Sequence, residues 1–251
     1  MKCFRCPAET HQSVSLPTGT YALCPLCMDP VVAHVTSRPT MTREAIRTPF
    51  PILSRGKVFQ VMACGEAWHS SWWGFFDELE TRELWWDIKP GDIVADVGAD
   101  FGSYTLSALA QGAYHVFAWS PPFKVPGESI ECETMYRSAA LNSWHERLSA
   151  TDGGLWSVGG WLSCLDWQRG SVYLPTEAEA RARGGIVFPV TTLDALGLAK
   201  LDFLKADVEG AELHVLMGAK ETLTRCKPAV MLEHHYHISP TCETDCAAWL
   251  A

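Results

Sequence analysis

From residue 93 onward the chain alternates short apolar runs with stretches whose apolar residues recur at helical spacing. Ile93 to Val97, His115 to Trp119, Leu201 to Ala206 and Pro228 to Leu232 are runs of five or six residues that read as buried strands. Between the first two, Ser103 to Gln111 puts Leu106, Leu109 and Ala110 on one helical face, with Gly112 as the stop. Further helices are predicted over Tyr136 to His145 and, as one element, over Ala211 to Cys226, with Leu213, Leu216, Met217 and Leu223 turned inward. Lys89-Pro90-Gly91-Asp92 predicts a turn. This strand–helix rhythm indicates an α/β fold with a doubly wound sheet. Residues 150–190 are rich in Gly and Trp and carry short β-like pieces without a clear order.

The upstream third is different. Val58 to Asp87 is aromatic, and the stretch from Trp72 through Phe75, Phe76 and Leu79 to Trp86 suits an amphipathic helix. Its aromatics either pack that helix on the sheet or form a wall for a flat or sugar-like substrate. Residues 31–56, with many Pro, Thr and Arg, read as a linker or arm. Residues 1–30 carry Cys3-x2-Cys6 and Cys24-x2-Cys27 separated by seventeen residues, a zinc-ribbon-like signature. Four thiolates satisfy tetrahedral zinc and leave no open position, so this Zn2+ would be structural and would supply the module's folding energy. Disulfides or a rubredoxin-like iron site are the alternatives. The expected organisation is a metal module over 1–30, an arm over 31–56 and the α/β domain over 57–251. Cys242-x3-Cys246 is a weaker candidate half-site, and the scattered cysteines read as small buried hydrophobes.

A formal charge of −9 argues against a nucleic-acid footprint, which wants a basic face. No apolar stretch reaches the roughly 20 residues of a membrane span, and Met1 to Cys6 lacks the apolar run of a secretory signal. A cytoplasmic protein is expected.

Candidate chemistry gathers at two strand-to-helix junctions about a hundred residues apart, Asp96-Val97-Gly98-Ala99-Asp100-Phe101-Gly102 and Lys205-Ala206-Asp207-Val208-Glu209-Gly210-Ala211-Glu212. Each sets an acid at the end of an apolar run, then glycine, then a helix. In a parallel sheet those carboxyl ends are where ligands bind. Asp96 can accept hydrogen bonds from a ligand or from nearby backbone. The first junction resembles the "DVGAN-x-G" motif of S-adenosylmethionine-dependent methyltransferases. Thr192-Leu193-Asp194, then Asp202 to Glu212, then Val215-Leu216-Met217-Gly218-Ala219, and finally Pro228 to Glu233 are similar to the signature of the FkbM family. The resemblance spans roughly residues 90–235. It implies a Rossmann-like domain that uses S-adenosylmethionine to methylate a hydroxyl oxygen of a sugar or secondary metabolite. Carried over by position, it sets Asp96, Gly98, Asp100 and Gly102 along the methionine end of the cofactor, Ser120 where the family has a ribose-binding acid, and Asp152 near the adenine. Asp100 stands where asparagine is commoner.

Alcohol methylation benefits from a base, and Asp207, Glu209, Glu233, His234 and His235 are the candidates. The alternative role for Asp207 and Glu209 is to cap the following helix, where an acid is stabilising. In His234-His235-Tyr236-His237 alternation would let His235 and His237 converge on a metal while His234 points away. Two other classes remain beside the enzyme: a non-catalytic binding module on a degenerate scaffold, which Ser120 favours, and a zinc-ribbon modifier of nucleic acid, which the charge disfavours. The sequence stops in what reads as the first turn of a closing helix, leaving a five-stranded sheet with an open edge that a homodimer would cover.

Overall fold

Five strands align in parallel, in the order β13-β12-β5-β6-β7. The strands are β5 (Ile93–Val97), β6 (His115–Trp119), β7 (Leu148–Thr151), β12 (Phe203–Ala206) and β13 (Ala229–Leu232). This computed structural model describes residues 13–16, 19–22, 49–54, 56–62, 82, 86–122, 130–165 and 171–251. Cys3, Cys6, Cys24 and Cys27, the four cysteines of the expected metal module, lie outside the described residues, as does most of the aromatic stretch from 63 to 85.

The two faces of the sheet follow the strand period of two. Val94 and Val116 join Leu106, Leu109 and Met135 in one apolar cluster. These come from α1 (Ser103–Gln111) and α2 (Ile130–Leu141). Ala95, Val97 and Leu204 join Val215, Leu216 and Cys246 in a second cluster on the other face. Those last three come from α4 (Glu212–Met217) and α6 (Cys242–Leu250). Trp86 is fully buried in the first cluster, edge-on to Tyr104 and Phe203, and its indole N–H donates to the Tyr104 carbonyl at 3.0 Å. For this one tryptophan the core reading holds.

Sequence and structure part in several places. The single helix expected over 211–226 is two, α4 and α5 (Lys220–Cys226). Gly218 sits between them so close to the next layer that a Cβ there would lie 2.0 Å from the Trp156 carbonyl oxygen. Met217, expected to face inward, is 45% exposed, because the break turns the helix before that position is covered. The helix expected from Tyr136 begins at Ile130 and ends at Leu141; His145 belongs to a short 3-10 turn. The expected boundary at 56/57 falls inside a hairpin of β3 (Phe50–Ser54) and β4 (Lys57–Val61), with Gly56 at a φ of 72° in the turn. Asn142, just past the end of α2, clips that hairpin at both backbone groups of Gln60. A two-stranded hairpin β1 (Ser13–Leu16) and β2 (Gly19–Ala22) lies further upstream.

The Gly- and Trp-rich stretch builds a second, four-stranded sheet in the order β10-β9-β11-β8. Its strands are β8 (Gly154–Leu155), β9 (Gly160–Cys164), β10 (Val172–Leu174) and β11 (Ile186–Thr191), with α3 (Glu177–Arg183) before the last. Trp156, Leu162, Phe188 and Val190 form its own small core. β8 pairs parallel and the other strands antiparallel, and such short strands leave too little alternation for the pattern to be read in advance. No helix among the described residues is long and apolar enough to cross a membrane.

Candidate functional site

From β5 the chain runs outward through β6 to β7, and from β12 it runs the other way to β13. The β5/β12 boundary is therefore the switch point, where the loops at the strand ends diverge and leave a crevice. Register pairs Asp96 with Lys205 and Val97 with Ala206. Both expected junctions thus end side by side. Gly98, at a φ of 81°, is held so close to the second junction that a Cβ would lie 1.7 Å from the Asp207 carbonyl oxygen. Only glycine lets these two turns touch.

The second turn is strained in the same sense, with Glu209 at φ 55° and Gly210 at φ 89°. Glu212, fully buried, holds it. One carboxylate oxygen accepts from the backbone N–H groups of Val208 and Gly210 at 3.1 and 3.2 Å, and the other accepts from the Cys242 thiol at 2.9 Å. A carboxylate returning to N–H groups just upstream is capping chemistry. In this turn Glu212 does that work, and Asp207 and Glu209 are left to face the cleft.

Beneath the crevice lies a buried charge cluster on the α1 face of the sheet. Asp96 is fully buried and Lys205 is 2% exposed. The Thr105 hydroxyl donates to Asp96 Oδ2 at 2.7 Å. Lys205 Nζ lies 3.1 Å from Asp207 Oδ2, 4.0 Å from Asp96 Oδ1 and 4.6 Å above the Tyr104 ring. Burial raises the Asp96 pKa above the usual carboxylate range, with the Lys205 charge and the Thr105 bonds pulling the other way. Alternation along β5 puts Asp96 under α1 rather than on the cleft surface. In the sequence, the signal for this pairing is a lone lysine in an apolar strand, which needs a buried anion.

Above the crevice, His235 Nε2 stands among three carboxylates: 3.4 Å from Glu209 Oε2, 3.6 Å from Glu233 Oε1 and 4.0 Å from Asp207 Oδ1. Asp207 divides its oxygens, giving Oδ2 to Lys205 and turning Oδ1 toward the ring. Burial raises the Glu209 pKa; the nearby His235 offsets part of the rise and Asp207 adds to it. His235 and His237 do come together, edge to face at 5.9 Å between centroids. The group of ligating atoms that converges, however, is Asp207, Glu233 and His235.

Of these residues Asp207 and Glu209 form the floor of a cleft between the two sheets, with Gly98, Pro121 and Gly153 at one end and Trp156, Leu162 and Phe188 in the apolar wall. Trp156 stacks on His214 at 3.8 Å between centroids, a pairing with no local sequence signal. Of the other expected positions, Gly102 is the N-cap of α1 at φ 88°, and a Cβ there would lie 2.5 Å from Met135 Cγ. Asp100 is exposed at φ 47°. Ser120 is buried at the end of β6, its N–H donating to the Thr151 carbonyl at 3.1 Å. Asp152 faces the Cys132 thiol on α2. His234 follows Glu233 beyond β13, half-buried, with its Nδ1 enclosed.

The methyltransferase FkbM domain model matches residues 96–250, more than half of the chain. A crystal structure of a methyltransferase FkbM from Methylobacillus flagellatus is similar at a TM-score of 0.50 and 17% identity, over 69% of this chain and 40% of that one. A crystal structure of PRMT6 with SAH is similar at a TM-score of 0.33 and 14% identity, over 57% and 37% of the two chains. TYW2 of P. horikoshii in complex with MeSAdo gives 0.28 and 16%, over 57% and 55%. This chain spans about two-fifths of the length of the first of these structures. No curated protein sequence matches significantly. At 17% identity the Methylobacillus flagellatus structure speaks to the fold alone, which is that of a methyltransferase-like α/β domain. The family match, resting on residues from Asp96 through the two junctions to α6, places this chain in the FkbM methyltransferase family.

Proposed function

We propose that this protein transfers a methyl group from S-adenosylmethionine to a hydroxyl oxygen of a small molecule such as a sugar or secondary metabolite. The observation that carries this reading is the pair of Asp207 and Glu209 on the cleft floor beside Gly98, with His235 3.4 Å from Glu209. The nine-residue helix α1 has Gly102 as N-cap and no side-chain cap, so its first N–H groups suit the carboxylate of an amino-acid ligand. Gly98 and Pro121 line the cleft beside it, and the family resemblance assigns Ser120 to the ribose and Asp152 to the adenine. When bound, S-adenosylmethionine would supply an electrophilic methyl on a sulfonium centre. The cleft residues would orient the acceptor oxygen in line with it, which is where most of the rate would come from. Glu209, its pKa raised by burial, is suited to take the acceptor's proton, and His235 at 3.4 Å is placed to pass it on. Trp156, Leu162 and Phe188 offer the acceptor an apolar wall.

Ser120 favours a second reading, a binding module without turnover, because a hydroxyl holds ribose less tightly than a carboxylate. Titration calorimetry of the full chain with S-adenosylhomocysteine separates the two. One-to-one binding supports the enzyme, and no heat at millimolar ligand, with folded protein, supports the module.

A further inference from the structure

The cleft is chemically two-sided. Leu155, Trp156, Leu162 and Phe188 form its wall, each 3–8% exposed. Among the described residues that line it, only Asp207, Glu209 and Ser171 carry a side-chain oxygen. Asp207 gives Oδ2 to Lys205, and Glu209 Oε2 is enclosed 3.4 Å from His235. Each carboxylate therefore has one oxygen left to offer a ligand.

The wall is built onto the turn that carries Glu209. Ala211, two residues further on, packs into the cluster of Trp156, Leu162 and Phe188. Trp156 stacks on His214 of the helix that Ala211 caps, 3.8 Å between centroids and 11° from parallel. Pro121 and Gly153, next to the positions that the resemblance gives to ribose and adenine, follow β6 and β7 instead. The apolar surface thus belongs with the acceptor's base and not with the donor's adenine. Its stack on His214 also leaves Trp156 one face fewer as a platform for a sugar ring.

A sugar brings several hydroxyls into a site. Each one buried without a partner costs at least about fivefold in affinity. An apolar body, by contrast, gains from the same wall.

We infer that the acceptor is an alcohol or phenol on an apolar, hydroxyl-poor ring body, and not a sugar. This narrows the proposed methyl transfer and rests on it. The ring lies against Trp156, Leu162 and Phe188, and its hydroxyl reaches the carboxylate floor. There the hydroxyl oxygen bonds the methyl carbon as the carbon–sulfur bond breaks. Sulfur keeps that electron pair, the hydroxyl proton passes to Glu209, and a methyl ether and S-adenosylhomocysteine leave.

Two probes test the class: 2-naphthol, an apolar body with a single hydroxyl, and methyl α-glucoside, a ring with several. Each is titrated by calorimetry into the full chain saturated with S-adenosylhomocysteine. One-to-one binding of 2-naphthol is expected, at least tenfold tighter than the glucoside. Ala211→Leu extends a side chain at the wall and should weaken 2-naphthol at least tenfold, with an unchanged unfolding midpoint to show that the fold is kept. The wild-type comparison decides even if that variant unfolds. Equal or tighter binding of the glucoside, or no saturable binding of 2-naphthol at millimolar concentration, would overturn the inference. Competition between 2-naphthol and S-adenosylhomocysteine would assign the wall to the adenine, so the inference would fall while the methyl-donor reading stands. If 2-naphthol binds and S-adenosylhomocysteine does not, the apolar-alcohol site stands and the methyl-donor reading falls.

Discussion

Replacing Lys205 by methionine should be among the most damaging single changes in this domain, and the damage should depend on pH. The side chain is 2% exposed, and removing it leaves Asp96, fully buried, facing an apolar group, while Asp207 is partly reached by water. Breaking a buried pair from one side costs about 3–5 kcal/mol. Protonation of Asp96 sets a ceiling. Holding a carboxyl neutral at pH 7 means moving its pKa about three units from its ordinary value, about 4 kcal/mol at 1.36 kcal/mol per unit. Both routes give a loss near 4 kcal/mol at neutral pH. The sign of the pH effect follows from linkage. Burial already raises Asp96 in the native state, so the folded form holds the proton more tightly than the unfolded chain. The stability this gives is present at low pH and lost as pH rises through the native value. In Lys205→Met that value moves higher, so the deficit against wild type should shrink by 1–2 kcal/mol (roughly one pKa unit or more) between pH 7 and pH 5. Urea unfolding followed by tryptophan fluorescence at both pH values measures it. Asp96→Asn combined with Lys205→Met should recover most of the loss and flatten its pH dependence. A Lys205→Met loss under about 1 kcal/mol at pH 7, or an equal loss at both pH values, would refute the buried-pair account.

Two further outcomes follow from the junctions. Gly98→Ala puts a Cβ 1.7 Å from the Asp207 carbonyl oxygen at a φ of 81°, so it should cost at least about 2 kcal/mol from the left-handed backbone and the displaced strand end; an unchanged thermal midpoint would contradict the close approach. Glu212→Ala strips the acceptor from the Val208 and Gly210 N–H groups and should cost about 2–4 kcal/mol. Glu212→Gln keeps an amide oxygen for them and should recover at least half, as read by the same thermal scans; equal losses would show that the carboxylate's charge, not the turn's hydrogen bonds, matters there.

The alternating apolar pattern was enough to place β5, α1 and β6 to the residue, because each is a local period bounded by local punctuation: Lys89 to Asp92 before, Gly102 and Gly112 around the helix. The two junctions were legible for the same reason, since an acid and a glycine at a strand end need no partner to be recognised. The stretch from 150 to 190 was not legible. Its four strands owe their existence to one another, and β8, two residues long, forms only because β11 lies alongside. The helix break at Gly218 depends likewise on Trp156, 62 residues upstream.

By itself, then, the sequence determined the layer architecture, the strand ends that would carry function and the family to which they belong. Tertiary structure alone decided what those strand ends do. It buried Asp96 beneath α1 against Lys205, gave the capping of the second turn to Glu212, and drew Glu233 and His235 to Asp207. The physical reason is that periodicity is written along one chain segment, whereas a buried ion pair or a set of converging ligands is fixed by the register and spacing of segments far apart. Register here was set by burial of the two sheet faces, and the chemistry of the cleft followed from it.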